Sequence, residues 1–102
     1  MKSHRESDPR ALARAERSLV QALLTLRTEQ ECRSFLTDLL TPAELEALVD
    51  RWSVVAYLSE GLPYRKIHEL TGVSVTTIGR VARFLAGENG GYRVALERLN
   101  TQ

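Results

Sequence analysis

The stretch PYRKIHELTGVSVTTIGRVARFL, Pro63 to Leu85, holds two short amphipathic segments joined by a glycine-containing turn. In the first segment Ile67 and Leu70 are spaced to face inward. Gly72 supplies the positive φ that stops one helix and re-aims the chain. Ser74 is placed to cap the next helix, where Val75, Ile78, Val81 and Leu85 recur at helical spacing. Two short helices around such a turn read as a helix-turn-helix over residues 63–85. The functional reading puts the second helix in the major groove of DNA. The plain alternative is a helical hairpin that only packs, because short patterns recur by chance.

Charge favours the first reading. The 102-residue chain carries a formal net charge of only +1, so any case for nucleic acid rests on where the charges sit. The motif holds Arg65, Lys66, Arg80 and Arg83 against one acid, Glu69, while Glu44, Glu46 and Asp50 collect elsewhere. Arg65, Lys66 and His68 on the first helix are expected to meet phosphates. Ser74, Val75, Thr76, Thr77 and Gly79 are expected at the base-reading end of the second, where a threonine can hydrogen-bond a base edge and touch a thymine methyl. No arginine stands at the tip of that helix to grip a guanine. Readout is therefore expected to draw on water and DNA shape as well. Arg80 lies too deep in the helix for a base contact.

Outside the motif the chain also reads as helix. From Pro9 to Arg27, Leu12, Leu19, Leu23 and Leu26 form an apolar stripe, with Pro9 suited to the first turn. Thr28–Glu31 (TEQE) is a capping box, followed by Cys32, Phe35, Leu36 and Leu39 at helical spacing. Thr41–Glu44 (TPAE) is a second box. Behind it Leu45, Leu48, Val49, Trp52, Val55 and Ala56 are expected on one face, and Gly61 and Pro63 end the helix. Residues 87–91 (GENGG) are expected as a flexible loop before a short helix, YRVALERLN. No strand signal is present, so the fold class is all-α. Residues 1–8 are expected as a flexible tail and 9–102 as one domain. A core so small, with stripes so apolar, calls for a partner subunit, hence a homodimer.

Other chemistry finds little support. His4, His68 and Cys32 are too few for a metal site. No glycine-rich phosphate loop or nucleophile–base pairing suggests an enzyme or a bound cofactor. With one cysteine, no signal peptide and no apolar span, the expected location is the cytoplasm, without a membrane partner. The remaining alternatives are a dimeric DNA-binding regulator and a helical protein-interaction module that uses the same fold without reading DNA.

Three blocks in order, LLTPAELEAL followed by Arg51, GLPYRKIHELTGVSVTTIGR, and GGYRVAL, carry a resemblance over roughly residues 9–100. The chain resembles the Trp repressor family, and within it the bacterial YerC/YecD-type relatives. The resemblance implies a six-helix, interlocked homodimer that binds a palindromic operator as a transcription regulator, commonly a repressor. In the family's namesake the corepressor is L-tryptophan. Carried over by position, Thr41, Arg51, Thr77 and Arg80 match its ligand set. The pattern then departs: Val81 stands where the family has a glycine, and Phe84 where it has a serine. Both would fill the indole slot, which argues against tryptophan and leaves room for a different anionic or amino-acid effector. Arg80 is read equally as a phosphate contact, an intersubunit ion pair or an effector ligand.

Overall fold

The computed structural model describes residues 8–101, and all regular structure in them is α-helical. Six helices follow in order: α1 (Pro9–Leu24), α2 (Glu29–Leu39), α3 (Pro42–Ser59), α4 (Tyr64–Thr71), α5 (Val75–Ala86) and α6 (Gly91–Asn100). They fall into two compact units that part between Thr41 and Pro42. The tail expected at residues 1–8 lies outside the described residues except for Asp8.

In the first unit, local chemistry sets the helix ends. Asp8 caps α1 by accepting from the amides of Arg10 and Ala11, and Pro9 occupies the first turn. The helix stops at Leu24, short of the Arg27 expected from the leucine stripe. There the Thr25 hydroxyl donates to the Ala22 carbonyl at 2.7 Å. Thr28 caps α2 through the Glu31 amide at 3.0 Å. Glu31 reaches back as a capping box requires, but its carboxylate takes the amide of Arg27, one residue earlier than usual. Neither helix buries a single side chain. Leu12 is 51% exposed, Leu24 is 79% exposed, and Cys32 is exposed as well, although an apolar helix face was expected for it.

The second unit holds the core. Val54 and Val55 of α3, Ile67 of α4, Val73 in the turn, and Ile78 and Val81 of α5 are fully or almost fully buried. Each such side chain contributes about 1.5–3 kcal/mol over an exposed one. The face of α3 differs from expectation. Val55 meets the core as expected, joined by Val54, whereas Leu48, Val49, Trp52 and Ala56 are exposed. This helix is apolar around much of its circumference, so periodicity alone does not single out the side the chain covers. Trp52 lies against Tyr92 with ring centres 6.3 Å apart.

Gly61 ends α3 in the left-handed region at φ 84°. Its amide bonds to Leu58, and that of Leu62 to Tyr57, the double closure of a Schellman motif. Pro63 then blocks continuation, and α4 starts at once. Further on, Arg93 of α6 donates to the Leu85 carbonyl, tying the last helix to the end of α5.

Candidate nucleic-acid interface

The turn between α4 and α5 is held by a dense set of local bonds. Gly72 adopts φ 77°, and its amide returns to the His68 carbonyl at 2.8 Å. The Thr71 hydroxyl donates to the Ile67 carbonyl at 2.7 Å and accepts from the Val73 amide at 3.1 Å. His68 Nδ1–H donates to the Val73 carbonyl at 2.7 Å. Val73 itself is buried. Backbone and side-chain groups of Ile67, His68, Thr71, Gly72 and Val73 are thus engaged in the bend, so the angle between the two helices is set by bonding as well as by packing. His68, expected as a phosphate contact, is exposed but spends one ring nitrogen on this turn.

Ser74 caps α5. Its hydroxyl accepts from the Thr77 amide and donates to the Thr77 hydroxyl, both at 3.1 Å. Thr77 is half-buried and retains its own hydroxyl hydrogen as a donor. Val75 and Thr76 project as exposed residues from the first turn, while Ile78 and Val81 bury the opposite side. Thr76, Gly79, Arg80 and Arg83 line one shallow depression on the outer face of α5. Tyr64 of α4 lies behind Gly79. Arg65 and Lys66 are exposed on α4.

The residues matched to an effector set are dispersed differently. Thr41 belongs to the first unit. Arg51 is half-buried on α3, and Thr77 is bonded to Ser74. Arg80 is exposed, with its guanidinium carbon 5.5 Å from the centre of the Phe84 ring. Val81 is a core residue, 1% exposed. Phe84 remains 41% exposed. Arg83, which sequence reasoning counted only as local charge, also lies over Phe84, at 5.7 Å. Its signal was its position seven residues after Thr76, on the same side of a helix. The roles of Thr71 and Asp8 carried signals too: a threonine before a turn glycine and an aspartate before a helix-starting proline. Among the described residues no group of three or more metal-binding side chains gathers, and no helix is long and apolar enough to cross a membrane.

Known proteins resemble this chain in sequence and in structure. The model of the Trp repressor protein family matches residues 15–100. The uncharacterized YerC protein of Bacillus subtilis is 41% identical over 81 residues, covering 79% of this chain and 78% of that protein. A Trp operon repressor homolog of Vibrio cholerae is 36% identical over 72 residues, covering 70% of each. The crystal structure of a TrpR-like protein from Eubacterium eligens superposes with a TM-score of 0.80 at 39% identity, covering 85% of this chain and 90% of that one. With the family model, the sequence relatives and the solved structure all matching over most of its length, the chain belongs to the Trp repressor family.

Proposed function

We propose that the protein is a sequence-specific DNA-binding transcription regulator, a repressor that acts as an interlocked homodimer on a palindromic operator. The observation that carries this reading is the α4–α5 pair: a bond-locked turn leads into the Ser74-capped start of α5, where Thr76 is exposed, and α4 carries the exposed Arg65 and Lys66. Such a unit can place Val75 and Thr76 against base edges while Arg65 and Lys66 hold phosphates. Homodimerisation is supported by the absence of any buried side chain in α1 and α2, whose apolar stripes are left without cover.

Operator binding in this reading does not depend on L-tryptophan. Val81 is committed to the core and Phe84 to the two arginines beside it. An extra side chain in an indole slot costs about 1–3 kcal/mol in overpacking, one to two decades of affinity. Any effector is anionic or zwitterionic and held by Arg51.

The test is a pair of substitutions in a binding assay on genomic fragments and scrambled duplexes. Thr76→Ala is expected to change base preference. Arg65→Ala is expected to weaken all sequences alike and to lower the salt slope by about one. Identical behaviour of the two variants contradicts the assignment of α5 to the groove.

A further inference from the structure

We infer that Arg83 is a phosphate-binding residue of the DNA interface, held in place with Arg80 by the ring of Phe84. The inference rests on the DNA-binding reading above and extends its contact surface by nearly two turns of α5. Thr76, Arg80 and Arg83 stand at i, i+4 and i+7, which places them within a sector of about 60° on the helix. The shared depression on the outer face of α5 reflects that alignment. Gly79 lines the same depression without a side chain, and the Tyr64 ring lies 3.8 Å from where its Cβ would stand.

Distance decides what each of the three can reach. Arg83 lies about 10 Å along the helix axis from Thr76, and Arg80 about 6 Å. The major groove is about 8.5 Å deep. With Thr76 at the base edges, the two arginines therefore straddle the rim where the phosphates run. Helical side chains also lean toward the N-terminus, which brings the Arg83 guanidinium back toward that rim.

The two cations are already gathered. Their guanidinium carbons lie 5.5 Å and 5.7 Å from the centre of one ring. Two like charges drawn to one aromatic ring suit an anion with several oxygens, such as a phosphate. Phe84 is thus a positioning residue: it touches no DNA and orders the two side chains that do.

The experiment measures binding of the full-length protein to two labelled duplexes of equal length over a range of salt. One duplex is a genomic fragment selected by the wild-type protein, the other its scrambled sequence. Arg83→Gln is expected to weaken both by roughly three- to tenfold at ~0.15 M salt and to lower the magnitude of the salt slope by about one. Arg83→Lys is expected to keep the slope. Phe84→Leu should lower affinity in the same sense but less, and Phe84→Tyr should restore it. Thermal melts of each variant separate lost contacts from lost folding. An unchanged salt slope in Arg83→Gln, with wild-type binding intact, overturns this inference alone. It is also the result expected if the arginines hold a small carboxylate instead. A wild-type protein that binds neither duplex overturns the DNA-binding reading and this inference with it.

Discussion

The hydroxyl of Ser74 makes two bonds to one residue: it accepts the Thr77 amide hydrogen and donates to the Thr77 hydroxyl, each at 3.1 Å. This pair fixes the first turn of α5, the turn on which Val75 and Thr76 ride. Ser74→Ala removes both bonds and leaves the Thr77 amide without its cap. The expected cost is about 1 kcal/mol. That corresponds to a fall of roughly 4–8 °C in melting temperature for a chain of this size. Thermal unfolding followed by circular dichroism checks it, and an unchanged melt would show that the cap does not hold the helix start.

Two glycines of the motif are expected to behave oppositely. Gly72 sits at φ 77°, where a Cβ is strained whatever the space around it. Gly72→Ala should cost about 1–2 kcal/mol. Gly79 is helical, and a Cβ there would meet only Tyr64, at an ordinary 3.8 Å. Gly79→Ala should therefore stabilise the fold by roughly 0.5–1 kcal/mol. It should nonetheless weaken DNA binding, because it raises the floor of the depression between Thr76 and Arg83. Paired melting and binding measurements on both variants check the contrast.

The leucines of α1 and α2 predict the assembly state. Leu12, Leu19, Leu23 and Leu39 are all exposed within the chain, more apolar surface than a monomer of this size ordinarily leaves bare. Sedimentation at micromolar concentration is expected to show a dimer. A stable, fully folded monomer under those conditions would remove the interlocked arrangement.

The legible parts of the fold were those written in local chemistry. Gly61 with Pro63, Gly72, Ser74 and Thr28 each carry a short-range signal, and each sits at the boundary that signal implies. Ile67, Ile78 and Val81 are buried as their spacing indicates, whereas Val75, at the start of the same stripe, is 51% exposed. Leu70, expected to face inward beside Ile67, is 51% exposed. Three residues carry the chain only most of a turn, and α4 is too short to bury both sides of its stripe. In α3 the choice between Val54 and Val49 depends on which neighbour arrives, and no local rule encodes that. Most of the candidate interface was visible as residue types, but not its organisation. The Thr71 bridge, the His68 bond to Val73 and the gathering of Arg80 and Arg83 on Phe84 arise from three-dimensional placement.

Selection of genomic fragments by the purified full-length protein at ~150 mM salt tests the central claim most directly. The expected result is a small set of enriched fragments that share an inverted repeat, with half-sites centred about one helical turn, roughly 34 Å, apart. Enrichment should be the same with and without L-tryptophan at millimolar concentration. Recovery of fragments without sequence preference, even when metabolites from a cell extract are added, would contradict the claim that this protein reads DNA.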